Sequence, residues 1–260
     1  MTWIYELLAG AGVGLVAGLA SGFSGTSPGG GLVIFSVLLL GAEQHVAQGT
    51  SLIAQIPPTG LAGARRYWQS GNRSPLPWIV WIGVGFLIGG AGGGYAAAAV
   101  SDTALQWTYV VYLVALIAML ALRSDRKDGG SQASASAELP WQPLLLIGTL
   151  AGFSSGFMGI GGGLAITVGL AAGLRVPQHQ AQLVALVFSL IPTNIPAASV
   201  YWSKGLMVGW PAIIGILAGL WIGTDLGARM ANGVSKSVLR RAMVALVSLM
   251  ALYMTHKALS

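Results

Sequence analysis

Apolar residues run in long unbroken stretches along this chain, and polar residues gather in short breaks between them. The stretches Trp78–Val100 and Thr103–Leu122 each reach the roughly 20 residues that a helix needs to cross a bilayer. Continuous rather than alternating hydrophobicity argues against a transmembrane β-barrel. The first half divides into five apolar pieces: Ile4–Phe23, Gly31–Leu40, Val46–Ala64, Trp78–Val100 and Thr103–Leu122. The second half gives five more: Trp141–Phe157, Gly163–Leu174, Gln180–Val200, Leu206–Met230 and Val238–Met254. The second piece of each set is too short to cross as a straight helix. Between the halves, residues 123–140 are polar and rich in Ser, Gly and Ala, the composition of a flexible linker.

The two sets are copies. A shift of 134 positions lays Gln44-His45 on Gln178-His179, Pro58-Thr59 on Pro192-Thr193 and Tyr67-Trp68 on Tyr201-Trp202. The same shift lays Gly85 and Gly89 on Gly219 and Gly223, and Gly22-Phe23 on Gly156-Phe157. One constant offset across such distinctive residues is the mark of an internal repeat. The chain therefore reads as a first transmembrane repeat over 1–122, a cytoplasmic linker over 123–140 and a second repeat over 141–260.

Composition agrees with a membrane setting. The 260 residues are 55% hydrophobic and 8% charged, with mean hydropathy +0.74, too little charge to cover a soluble core. A net charge of +6 would suggest nucleic acid in a soluble protein. Here the basic residues lie between apolar runs, so topology and anionic lipid account for them, and no nucleic-acid partner is expected. With the N-terminus outside and every piece crossing, Arg65, Arg66, Arg73, Arg123, Arg126 and Lys127 face the cytoplasm. Arg175, Arg229, Lys236, Arg240 and Arg241 do the same, leaving only Lys204 and Lys257 outside. An odd number of crossings per half makes the repeats inverted. The predicted fold class is an all-α polytopic membrane protein of two inverted repeats, each of about five apolar segments with helix breaks at Gly-rich tracts. The first basic residue is Arg65, so Ile4–Phe23 lacks a signal-peptide n-region and is expected to stay in the membrane.

Chemistry narrows quickly. The absence of cysteine removes disulfides, thiolate metal sites and thiol catalysis. No cluster of His, Asp or Glu has metal-ligand spacing, and no Ser-His-Asp set is recognisable, so neither an enzyme nor a cofactor is expected. Glycine tracts break the apolar runs at Gly25–Gly31 and Gly159–Gly163. Close helix packing is one reading of such glycines, and it is preferred for Gly85, Gly89, Gly90, Gly93 and Gly94. The other is a broken helix whose free N–H groups attract an anion; it is preferred for Gly25, Gly29, Gly30, Gly159, Gly161, Gly162 and Gly163. On that reading Gly161→Val or Gly162→Val should abolish binding, whereas Gly89→Ala should be milder. Thr26 and Ser27 add hydroxyls to the first tract. Gln48, Thr50 and Ser51, with Gln182 in the second copy, are polar groups that hydrocarbon does not tolerate alone; packing partners and a cavity are both open to them. Pro57-Pro58-Thr59 and Pro192-Thr193-Asn194 interrupt the third pieces, as simple kinks or as breaks that put Thr193 and Asn194 on a pathway. Tyr67-Trp68 and Tyr201-Trp202 suit interfacial aromatic belts, and His45 and His179 are expected at the surface. Asp225 has Arg229 at i+4, giving a local ion pair or a proton-coupling site.

The tract Gly156-Phe157-Met158-Gly159-Ile160-Gly161-Gly162-Gly163, repeated near 22–31, resembles the sulfite exporter TauE/SafE family of membrane permeases. Gln48-Gly49-Thr50-Ser51-Leu52 is similar to that family's continuation after its first tract. The second copy departs, with Gln182-Leu183-Val184-Ala185, and the first carries Thr26-Ser27-Pro28 where the second has only Ile160. The resemblance implies transport of a small sulfur-containing anion, such as sulfite or an organosulfonate, across the bacterial inner membrane. A channel for the same anions, or an intramembrane enzyme, is the alternative. No nucleotide-binding motif is visible, so coupling to a proton or sodium gradient, or facilitated diffusion, is expected rather than ATP hydrolysis.

Overall fold

The computed structural model describes residues 2–24, 27–58, 75–122, 139–232 and 236–259, and every regular element among them is helical. The first half contributes α1 (Thr2–Ser24), α2 (Gly29–Leu39), α3 (Gln44–Ala54), α4 (Leu76–Ala97) and α5 (Asp102–Leu122). The second contributes α6 (Trp141–Met158), α7 (Gly163–Val168), α8 (Gln178–Phe188), α9 (Ile195–Ser203), α10 (Trp210–Asn232) and α11 (Lys236–Leu259). Helix α7 widens into a π turn over Gly169–Gly173, giving a continuous helical segment as long as α2. Three helical stretches, Trp3–Gly22, Leu76–Ala97 and Trp210–Gly227, are long and apolar enough to cross a membrane.

The duplication in sequence is a duplication of elements. Helices α2, α3, α4 and α5 begin at Gly29, Gln44, Leu76 and Asp102; α7, α8, α10 and α11 begin 134 residues later, at Gly163, Gln178, Trp210 and Lys236. The expected third piece of the second half is two helices, α8 and α9, separated by turns over Ser189–Asn194. Pro192 and Pro196 each lack the N–H that a continuous helix would need. In the first half α3 stops at Ala54, ahead of Pro57-Pro58. Thr59, Tyr67-Trp68 and linker residues 123–138 lie outside the described residues.

Two intimate helix pairs build the frame. Gly10, Gly14 and Gly18 of α1 lie against the backbone at Ala212, Ile216 and Leu220 of α10, and Gly215, Gly219 and Gly223 return the contact to Leu7, Ala11 and Leu15. Gly85, Gly89 and Gly93 of α4 meet Leu145, Thr149 and Phe153 of α6 in the same way, and Gly148, Gly152 and Gly156 meet Ile82, Phe86 and Gly90. Glycine at every fourth residue puts a bare backbone stripe on each helix, and the advancing register makes each pair parallel. A methyl group on any of these glycines would lie inside a carbonyl or peptide of the partner helix. The packing reading therefore holds for Gly85, Gly89 and Gly93. Gly90 and Gly94 instead face Ala197 and Val200 of α9 at ordinary contact distances of 3.4 to 3.8 Å. Large apolar side chains such as Ile88, Val111, Leu150, Trp221 and Leu252 point outward, as a lipid-facing surface requires.

Candidate functional site

Where the two glycine tracts lie, the helices stop. Helix α6 ends in Gly159, whose φ of +70° forms a left-handed cap with its N–H donating to Ser155 O at 2.7 Å. Gly161 follows at φ +73°, and α7 starts at Gly163. Both conformations favour glycine for reasons of backbone alone. In the first half α1 ends at Ser24 and α2 starts at Gly29; Gly25 and Thr26 lie outside the described residues. The starts of α2 and α7 are preceded by Pro28 and Gly162, neither of which caps the helix with a side chain. The N–H groups of Gly29, Gly30 and Gly31, and of Gly163, Leu164 and Ala165, thus lack intrahelical partners.

The tracts touch each other. Gly29 packs directly on the carbonyl of Ile160, leaving no room for a Cβ. A chain of hydrogen bonds locks the contact from α3. Ser27 Oγ donates to Gln55 Oε1 at 3.0 Å, and Gln55 Nε2 donates to Ser51 Oγ at 3.0 Å. Ser51 Oγ donates to Gly159 O at 2.6 Å and lies 3.2 Å from Gly29 O. Gln55 Nε2 also reaches Ser51 O at 3.0 Å. One serine and one glutamine on α3 therefore join both tracts and the segment before α2. Among the described residues no Asp, Glu, Lys or Arg contributes to this knot, so the free N–H groups set its electrostatic character toward anions.

Around the knot the other expected residues take different places. Gln48 is buried on α3, its Oε1 accepting from Tyr201 OH at 3.0 Å, while the same hydroxyl lies 3.0 Å from Gly156 O. Thr50 turns to the hairpin between α9 and α10: its Oγ1 donates to Val46 O at 2.7 Å and accepts from Val208 N at 3.0 Å. Gly30 O accepts from Tyr109 OH at 2.8 Å. Gly162 packs on the ring of Phe86, and Gly163 lies beside Ser27. Gln182 is half-buried on α8. Thr193 and Asn194 are buried in the break before α9, with Asn194 Oδ1 accepting from Ser155 Oγ at 3.1 Å. The structure thus gathers Ser27, Gly29, Ser51, Gly159 and Gly161, with Gln48 against Gly159, and sets Thr50 and Gln182 apart.

Several expectations change. Tyr201 is fully buried and hydrogen-bonded rather than interfacial; only Trp202 of that pair is exposed. His45 is part-buried and engaged rather than free at the surface: its Nδ1 lies 2.6 Å from Asp102 Oδ1 and its Nε2 2.9 Å from Ala97 O. Asp102 Oδ1 also accepts the His45 N–H at 3.0 Å, tying the start of α3 to α4 and α5. Asp225 and Arg229 form an exposed i,i+4 ion pair at 2.6 Å, as the local reading requires. Gly89→Ala is disruptive for the fold in its own right, because its methyl would collide with the Thr149 carbonyl. Gly161→Val is strained by its positive φ whether or not an anion binds there. Gln55 was not singled out from sequence, and Tyr201 was given an interfacial role rather than this one. Gln55 could have been, since it falls on the same helical face as Gln48 and Ser51.

Parallel glycine-faced helix pairs, a lipid-facing apolar surface and two broken helices meeting in the interior define a polytopic all-α membrane protein. Residues 10–254 match the family model described as Sulfite exporter TauE/SafE, and the chain belongs to that family. It is 26% identical over 233 residues to the probable membrane transporter protein YdhB of Bacillus subtilis (strain 168), covering 86% of this chain and 90% of that one. The protein is accordingly a membrane transporter by family. No solved structure matches the chain.

Proposed function

We propose that this protein is a secondary permease that carries a small sulfur-containing oxyanion, such as sulfite or an organosulfonate, across the bacterial inner membrane. The observation that carries the reading is the contact between the two glycine tracts, with uncapped starts of α2 and α7 beside a charge-free polar knot. The backbone N–H groups of Gly29, Gly30 and Gly163 offer donors suited to an oxyanion, and among the described residues no carboxylate nearby opposes it. Ser27, Ser51 and Gln55 already satisfy one another, so an entering anion exchanges its own oxygens for the carbonyl acceptors they now use. That exchange loosens the link between the halves, as alternating access demands. Gly25, Thr26, Gly161, Gly162, Gln48, Thr193 and Asn194 complete the proposed lining, and a proton or sodium ion is the proposed coupling partner.

The test is uptake of radiolabelled sulfite into proteoliposomes. Saturable uptake accelerated by unlabelled sulfite inside the vesicle is expected of a carrier. Flux that neither saturates nor shows counterflow would identify a channel, and absence of flux for sulfite, thiosulfate and sulfoacetate alike would overturn the substrate class.

A further inference from the structure

Helix α3 carries a polar face in an apolar surrounding. Gln44, Gln48, Ser51 and Gln55 recur at i, i+4, i+7 and i+11, within about 60° of one another around the helix. All four are buried. Three have the partners described above. Gln44 is fully buried, yet neither its Nε2 nor its Oε1 has a hydrogen-bond partner among the described residues. Ser36 Oγ, on α2, is in the same condition.

Helix periodicity from the Ser51–Gly29 contact puts both orphaned groups two turns along, on the facing sides of α2 and α3. Ser51 Oγ near Gly29 O fixes how α2 runs against α3. Seven residues forward on α2 from Gly29 is Ser36, and seven residues back on α3 from Ser51 is Gln44, each a displacement of two turns. The turn agrees, since Ser36 O accepts both Leu40 N at 3.1 Å and Ala42 N at 3.3 Å just ahead of Gln44. A buried amide without partners costs about 1–3 kcal/mol, so an apolar side chain would suit the fold better at either place. What such groups bind explains them.

We propose that Ser36 and Gln44 form a second binding site for a small oxyanion, at the opposite end of the α3 polar face from the glycine knot. This rests on the anion-permease reading and adds a station to its path. The sign follows from the surroundings. The amide supplies two N–H donors and the serine a hydroxyl, and Gln44 is the first residue of an 11-residue helix whose N-cap, Glu43, makes no side-chain cap. Glu43 itself is exposed, and the Asp102 carboxylate is taken up by the His45 backbone and ring.

Selenite, an anomalously scattering analogue of sulfite, tests the site directly in crystals of the full chain. Selenium density between Ser36 and Gln44, lost in Gln44→Leu, is the expected result. Density only at Gly29 and Gly159 overturns this site and leaves the proposed function standing; density at neither place overturns both. Density that persists in Gln44→Leu marks an adventitious ion only and also overturns it. Gln44→Glu supplies the charge test, because it keeps the shape and adds a negative charge. It should raise the KM for sulfite uptake at least tenfold while the purified variant stays monodisperse. An unchanged KM in Gln44→Glu means that the amide holds water or a cation, and the proposal fails.

Discussion

Ser51 is the residue on which the interior turns, because one hydroxyl serves Gly159, Gly29 and Gln55 together. Ser51→Ala keeps the volume nearly unchanged but removes the 2.6 Å donor to the Gly159 carbonyl and one acceptor of the Gln55 amide, which keeps Ser51 O at 3.0 Å and Gly159 O at 3.4 Å. We expect a loss of about 1–3 kcal/mol, seen as a lower midpoint of thermal unfolding in detergent, and a larger proportional loss of sulfite uptake. Normal uptake in a folded Ser51→Ala protein would remove the knot from the transport path. His45 is subject to a similar accounting. Its ring lies 2.6 Å from Asp102 Oδ1 and 2.9 Å from Ala97 O, and its backbone N–H donates to the same carboxylate at 3.0 Å. Asp102→Ala should therefore lower the unfolding midpoint, whereas loss of the exposed Asp225–Arg229 pair through Asp225→Ala should barely move it. Sequence pointed to Ser51 through its polarity and through the family resemblance of Gln48–Leu52. It could not point to Tyr201 or His45, since an aromatic or a histidine beside an apolar run suits a membrane interface equally well. Only the fold reveals that Tyr201 spans to Gln48 on the other half.

Glycine acts at the scale of the element, and neighbouring glycines on one helix have opposite roles. Gly89 of α4 faces the backbone of α6, while Gly92, three residues on, has nothing within 4 Å of where a Cβ would stand. Gly92→Ala should be neutral or stabilise by up to about 1 kcal/mol, since alanine favours the helix. Gly89→Ala should separate α4 from α6 and greatly reduce the yield of folded protein. Gly12→Ala and Gly14→Ala on α1 should reproduce the contrast against α10. Size-exclusion profiles and unfolding midpoints of the four variants check it; equal behaviour of Gly89→Ala and Gly92→Ala would mean that the helix pairs are not held by backbone contact. Most of this level was legible beforehand: the periodic glycines, the breaks at Gly159–Gly163 and at Pro192, and helix starts 134 residues apart. What sequence did not tell was direction, because a stripe of small residues fits a parallel or an antiparallel neighbour alike.

At the scale of the whole molecule, α1 lies parallel to α10 and α6 lies parallel to α4. Under the 134-residue equivalence these are one pair seen twice, with the halves exchanged. Such an exchange is what a two-fold axis between the repeats produces, and that axis can run along the membrane normal or in the membrane plane. The positive residues choose between them. With inverted halves nearly all Lys and Arg reach the cytoplasm; with parallel halves they divide more evenly. We therefore expect both termini outside and residues 123–140 inside. The natural lack of cysteine makes the test clean, because each introduced thiol is the only one present. Cysteine at Ser134 should react with a membrane-impermeant maleimide only after the cells are opened, and cysteine at Thr2 should react in intact cells. Labelling of Ser134→Cys from outside would turn the molecule over or make its halves parallel. In the parallel case the two glycine tracts would enter from one face of the membrane rather than from opposite faces, and alternating access through their contact would lose its symmetry.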